Sequence, residues 1–169
     1  MRLLQALTGI VLLFLALIGC ATPIDFGDPF PKSRPAEGDL TGMYRPTNET
    51  RELIAKGGYE PRTISFELRA DGTCQIQNIP DWWLTGGKPA GGFDSGSGKW
   101  RIVQQSSWWG LNLDFPSTTG FARPDERSRT KEIYLIGQTP PYEIMITMGD
   151  PDGSRMYFWK VPTRPAPTP

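Results

Sequence analysis

The fold is decided at residues 63–77, which read Thr63-Ile64-Ser65-Phe66-Glu67-Leu68-Arg69-Ala70-Asp71-Gly72-Thr73-Cys74-Gln75-Ile76-Gln77. Apolar and polar residues alternate on both sides of Asp71-Gly72, and a period of two is typical of a strand with one buried face. Asp-Gly is a strong signal for a tight hairpin turn. The stretch therefore predicts a β-hairpin that points Phe66 into the core and buries Cys74 as a small hydrophobe.

Short segments with strand character recur along the rest of the chain. They are predicted at residues 39–44, 99–103, 109–115, 132–136, 142–148 and 156–161. The last two segments are apolar on both sides, which is typical of strands that are covered on both faces or line a cavity. The helical prediction is Asn48–Lys56, with Asn48 as the cap and Gly57-Gly58 at the end.

About eight short strands follow one another in sequence order, joined mostly by short links. This order predicts an all-β fold: an antiparallel meander that forms a small closed or nearly closed barrel, with one short helix after the first strand. The same strand spacing also permits a β-sandwich, which stays the alternative.

The first twenty residues follow another pattern. Arg2 precedes an almost wholly apolar run from Leu3 to Ile18, and Leu17-Ile18-Gly19-Cys20 ends the segment. A basic residue, an apolar run and a small residue before the cut are typical of a secretory signal. The run is shorter than the roughly 20 residues that span a bilayer comfortably, so an uncleaved anchor helix is the weaker interpretation.

Leu17-Ile18-Gly19-Cys20 resembles the lipobox of bacterial lipoproteins. The resemblance implies that residues 1–19 are a signal peptide and that Cys20 carries a diacylglyceryl thioether, often with a further N-acyl chain. Two or three acyl chains bind a bilayer firmly, whereas one is marginal. The implied location is the bacterial cell envelope, and Ala21 implies the outer membrane if the host is Gram-negative.

Composition divides the chain after Cys20 into three parts. Residues 20–39 contain four prolines and mixed charge, which predicts a lipid-anchored flexible tether. Residues 40–161 are predicted as the barrel, a single domain of ordinary size. Residues 162–169 alternate proline with small or charged residues and are predicted as a disordered tail.

The barrel prediction is accompanied by two further resemblances. In strand count and in Gly42-Met43-Tyr44 the domain is similar to lipocalin-type calycins, although Tyr44 stands where those proteins have Trp. Asn78–Trp83, Gly96–Trp100 and Gly149–Gly153 resemble a set of uncharacterised small bacterial proteins. The lipocalin-type resemblance implies an architecture, and neither resemblance implies an activity.

The chain contains no histidine, and its 18 basic residues balance its 18 acidic ones. The missing histidine removes the commonest general base, the Ser-His-Asp and Cys-His arrangements and the commonest zinc ligand. Asp150-Pro151-Asp152-Gly153 has the composition of a type I turn and lacks the ligand spacing of an EF-hand. We therefore predict a non-catalytic protein with no metal, no cofactor beyond the lipid on Cys20 and no nucleic-acid partner.

The candidate contact residues lie mostly in a glycine-rich link between strands, predicted at residues 78–99. Asp81, Trp82 and Trp83 stand together there, and Trp109 lies on the strand that ends at Phe115. Adjacent side chains point opposite ways in extended chain, which predicts one tryptophan inside and one outside.

Two functions stay open at this point. The link could border an open barrel that accepts a small apolar or amphipathic ligand. Alternatively, Phe66, Trp100 and Trp109 fill the interior, and the plugged barrel contacts another envelope protein.

Overall fold

The computed structural model describes residues 29–85, 91–116, 128–148 and 153–162. Each strand pairs antiparallel with the next one in the chain, and the last pairs with the first, so the sheet closes into a barrel. The strands are β1 (Gly42–Pro46), β2 (Ser65–Leu68), β3 (Thr73–Pro80), β4 (Phe93–Gln105), β5 (Trp108–Pro116), β6 (Ser128–Ile136), β7 (Glu143–Thr147) and β8 (Arg155–Lys160). The predicted antiparallel barrel is confirmed, and the β-sandwich is excluded.

Three short helices accompany the described strands: α1 (Glu37–Leu40), α2 (Asn48–Lys56) and α3 (Trp82–Thr85). The predicted helix is α2, but its cap is Thr47, whose hydroxyl accepts from the amide of Thr50 at 3.2 Å. Asn48 lies inside the helix, so its assignment as the cap was wrong. The other two helices have four residues each, too few to leave a helical period in the sequence.

Neighbouring strands run in opposite directions, so odd-numbered strands end where even-numbered strands begin. We call that end of the barrel the first rim, and α2 and α3 follow β1 and β3 there. The opposite end is the second rim, where α1 precedes β1.

The barrel interior is filled with aliphatic and aromatic side chains. The ring of Phe66 makes edge-to-face contacts with Phe158, at 4.8 Å between centroids, and with Trp83, at 5.9 Å. Thirteen more described side chains from the walls are at most 1% exposed: Tyr44, Leu68, Cys74, Ile76, Ile79, Leu111, Leu113, Phe115, Ile133, Leu135, Ile144, Ile146 and Met156. Each such burial stabilises the fold by about 1.5–3 kcal/mol, so this interior is the main source of stability.

The predicted hairpin at residues 63–77 is present as β2 and β3. Gly72 takes a positive φ of 76°, and Asp71 Oδ1 accepts from both the amide and the hydroxyl of Thr73. Cys74 faces the core, and burial raises the pKa of its thiol to about 11. The thiol is therefore protonated at neutral pH and acts as the small buried hydrophobe that the alternation predicts.

The end of the predicted glycine-rich link, from Phe93 to Lys99, is strand. β4 begins at Phe93, and Gly98 lies so close to β5 that a Cβ would come within 2.5 Å of the Asp114 carbonyl oxygen. It would also come within 2.9 Å of the Phe115 ring. Glycine therefore serves a close approach between strands here, which composition alone does not distinguish from loop flexibility.

Residues 29–39 lie against the barrel, although the sequence predicted a solvated tether over 20–39. The amide of Gly137 donates to the Pro29 carbonyl at 2.7 Å, and the amide of Trp109 donates to the Pro31 carbonyl at 3.0 Å. Proline lacks an N–H but keeps its carbonyl acceptor, so a proline-rich segment can still bond to a rim.

Side chains hold the same segment in place. Phe30 lies 5.0 Å from Trp108 and 5.7 Å from Tyr134, between ring centroids. Leu40, at the end of α1, is 0% exposed. The described part of the predicted tether is thus packed on the second rim.

Several predicted features fall outside the described residues. They are the signal peptide, Cys20, residues 21–28 of the tether, most of the Asp150–Gly153 turn and the tail from residue 163. In the part of the chain that the structure does describe, no helix has the length and apolar character needed to span a bilayer.

Candidate functional site

Among the described residues, Trp83 on α3 covers the interior at the first rim. Its side chain is 5% exposed and packs on Phe66, and the Lys131 ammonium lies 5.6 Å from its ring centroid. Trp82 is half-buried and packs against the buried apolar side chains of the barrel interior. The prediction that one tryptophan faces inward holds for Trp83, but Trp82 points only partly outward because both lie on a helical turn.

Asp81 joins the two ends of the link that carries α3. Its Oδ1 accepts from the Tyr59 hydroxyl at 2.6 Å, and its Oδ2 accepts from the Gly92 amide at 3.1 Å. The Asp81 amide donates to the Gly92 carbonyl at 3.0 Å, and the Trp82 amide donates to the Tyr59 oxygen at 3.2 Å. Both carboxylate oxygens are engaged, so Asp81 holds α3 over the rim.

A second carboxyl, Asp94, lies near this network on β4. Burial, and then the charge of Asp81, raise the pKa of the Asp94 carboxyl. Two carboxyls are thus brought to one rim, but Asp81 uses both of its oxygens in structural bonds. Among the described residues, no three Cys, Asp or Glu side chains are grouped so that they could hold a metal ion.

An apolar groove lies outside the barrel, between α2 and the segment that leads into β2. We call it the first-rim groove; its volume is about 330 Å³. Its lining is mostly apolar, and four charged side chains also border it. The lining residues are Arg51, Glu52, Ile54, Ala55, Tyr59, Glu60, Pro61, Arg62 and Ile64. Sequence reasoning missed this groove, and the available signal was the apolar Tyr59 and Ile64 after the helix.

Trp109, the remaining candidate residue, lies at the second rim near the start of β5. The Arg34 guanidinium lies 6.0 Å from its ring centroid. Asp81, Trp82 and Trp83 therefore share one rim, and Trp109 does not join them. β5 begins at the second rim and ends at the first, so Trp109 near its start lies at the opposite end of the barrel from Phe115.

These features define the chain as a closed, eight-stranded antiparallel barrel with a filled interior and an external apolar groove. Comparisons with family models, with curated proteins and with solved structures found no match for it. Its function is therefore argued from the geometry.

Proposed function

We propose that this chain is a lipid-anchored, non-catalytic interaction module of the bacterial cell envelope that meets its partner with its outer surface. The observation that carries the proposal is the filled barrel. Phe66 packs between Phe158 and Trp83, Trp83 covers the first rim, and Leu40 is fully buried at the second rim. In the part of the barrel that the structure describes, side chains occupy the interior, which supports contacts with an envelope protein on the outer surface.

The lipid anchor of this proposal depends on Leu17-Ile18-Gly19-Cys20. The intact mass of the membrane-extracted chain should equal residues 20–169 plus two or three acyl chains. The Cys20→Ser variant should lose that mass and appear in the soluble fraction. An unacylated mature chain, or a Cys20→Ser chain that still sediments with membranes, contradicts the anchor.

The first-rim groove supports a second candidate function, the binding of a small amphipathic ligand. Its volume of about 330 Å³ lies at the small end of the range for ligand pockets. Apolar residues such as Ile54 and Ile64 would contact an alkyl chain. Arg51 and Arg62, with two glutamates beside them, would contact a polar head group.

Titration with decanoate, followed by backbone amide NMR shifts, separates these functions. Binding in the groove should shift the amides of Ile54, Ala55 and Tyr59 in a saturable way. Ala55→Phe should abolish those shifts by filling the groove, and Ala70→Phe, the same change at an exposed turn of the second rim, should leave them intact.

The location of the shifts decides the outcome. Saturable shifts centred on Phe66 and Leu113 would mean that the interior binds ligand, which contradicts the filled barrel. If the titration produces no saturable shift, the small-ligand function is removed and the protein-partner function stands.

A further inference from the structure

The outer wall of β6 to β8 carries a row of large apolar side chains. Tyr134 lies directly opposite Met145, and Met145 lies directly opposite Tyr157. Their sequence neighbours on each strand are buried in the barrel, so these side chains point outward. Tyr134 and Tyr157 are half-buried, and Met145 is only 3% exposed, so it lies beneath its neighbours on the outer wall. Trp159 follows on the same face of β8 and, at 40% exposure, is the large hydrophobic side chain that the described barrel leaves open to solvent.

The row continues toward the second rim. The Trp108 ring stacks on Tyr134 at 4.9 Å and 22°, and Phe30 lies against both rings. Gly110 leaves the space for this stack, because a Cβ there would come within 2.9 Å of the Trp108 ring. We call the aromatic members of this set the outer aromatic band: Phe30, Trp108, Tyr134, Tyr157 and Trp159. The buried Met145 lies beneath the band.

The chain leaves the barrel beside this band on its way to Cys20. Pro29 is held by the amide of Gly137, so residues 21–28 alone connect the lipid site to the barrel. Eight residues reach at most about 30 Å, whereas a tether over residues 21–39 would reach about 60 Å. The packed segment thus halves the length of chain that can separate the barrel from the lipid site, and it starts that length beside the outer aromatic band.

We propose that the outer aromatic band rests on the surface of the lipid bilayer when Cys20 is acylated, an inference that rests on the proposed anchor. Tryptophan and tyrosine favour the head-group region, because their rings are apolar and carry a polar atom. The band lies beside the point where the chain leaves the barrel toward Cys20, and Trp159 is its most exposed member.

The charges around the band refine this contact. Arg45 lies opposite Trp159, but its guanidinium donates to the Ile64 carbonyl at 3.4 Å. Arg155 lies further along β8, where its long side chain can extend to phosphate groups. Glu132 and Glu143 lie on the same outer wall and offset these cations. Contact between the aromatic rings and the lipid, rather than net charge, therefore keeps the band on the bilayer surface. This contact should persist at high salt and on uncharged lipid.

The test uses the acylated full chain in phosphatidylcholine vesicles, with an environment-sensitive fluorophore on an introduced cysteine. Trp159→Cys places the label on the band, and Gln77→Cys places it on the exposed wall of β3, across the barrel. Cys74 is buried and Cys20 is acylated, so the introduced thiol is the one that reacts. The label at 159 should be quenched by spin-labelled lipid and protected several-fold from aqueous iodide relative to the label at 77.

Each other outcome overturns the inference in a distinguishable way. Equal iodide quenching at 159 and 77, in a chain whose mass shows the acyl groups, overturns the orientation and leaves the anchor intact. Protection at 159 without lipid quenching means that protein, such as a second copy, covers the band. Loss of lipid quenching in 1 M salt means that charge holds the face. A mass without acyl chains overturns both proposals.

Discussion

The two rims of the barrel are closed by different parts of the chain. At the first rim, α3 lies in the link between two neighbouring strands, and it places Trp83 over Phe66. At the second rim, α1 precedes the first strand and places Leu40 over the interior, where the Tyr44 hydroxyl donates to the Leu40 carbonyl at 2.8 Å. The first rim is thus covered by a link between two strands of the barrel, whereas the second rim is covered by a segment that precedes the first strand.

This difference shows in the sequence distance of the contacts. At the first rim, Tyr59 and Asp81 are joined across 22 residues. At the second rim, Lys160 donates to the Asp39 carbonyl at 2.7 Å across 121 residues. The pairing of Tyr44 with Lys160 in the sheet already closes that long loop. The bond to Asp39 therefore adds little loop entropy, and the second closure depends on the Leu40 side chain that it buries.

The largest expected effect is at the interior that both closures protect. Phe66→Ala should lower the free energy of unfolding by about 3–5 kcal/mol, because it removes a ring packed on Phe158 and Trp83. Urea denaturation measures the loss, and Phe66→Leu, which keeps most of the volume, should cost less than about 2 kcal/mol. A cost near zero for the alanine variant would mean that Phe66 does not face the core.

The next effect tests the second rim. Leu40→Ala should cost about 2–4 kcal/mol, because the leucine is fully buried although it precedes the barrel. Glu37→Ala, on an exposed position of the same helix, should change stability by less than about 0.5 kcal/mol. If both variants behave alike, α1 does not close the rim, and the tether begins at the barrel wall.

The sequence predicted the wall of the barrel better than its closures. Alternation around Phe66 and the Asp71-Gly72 turn identified a hairpin, since both signals lie within a few residues of each other. The strand count then predicted the meander. Nothing local distinguishes residues 29–39 from a linker, because their contacts are with β5 and β6, far along the chain.

The same limit applies to the candidate site. The pair Trp82-Trp83 was recognisable as an unusual local feature, and the inward position of one of them followed from geometry. The role of Asp81 was not recognisable, because its partner Tyr59 lies beyond a whole hairpin. The first-rim groove likewise needs α2 and β2 to be placed before it exists.

A smaller effect is expected for the bond that holds the first closure. Tyr59→Phe removes the donor to Asp81 and the acceptor for the Trp82 amide, and should cost about 1–2 kcal/mol. Tyr157→Phe, the same change on the outer wall, should cost less than about 0.5 kcal/mol. Equal costs in thermal unfolding would show that the Asp81 network does not hold α3.

The smallest effect is expected at Asp94, where the substitution should raise the free energy of unfolding instead of lowering it. The pKa of Asp94 is raised above its ordinary 3.8, so the folded state binds the proton more tightly than the unfolded state does. Stability therefore falls as pH rises from about 3.8 through the folded-state pKa, and stays lowered above it. Asp94→Asn removes this loss and should be the more stable protein at pH 7, by at most about 0.5 kcal/mol because solvent screens the group.

The sign of the Asp94 effect is measured by melting both proteins between pH 3 and pH 7. The difference should be near zero at the acid end, where Asp94 is protonated in both states, and should grow toward neutrality. Asp81→Asn provides the contrast, because it weakens two hydrogen bonds and should lower stability at pH 7. A destabilised Asp94→Asn protein at pH 7 would mean that this carboxylate, like Asp81, helps to hold the first rim closed.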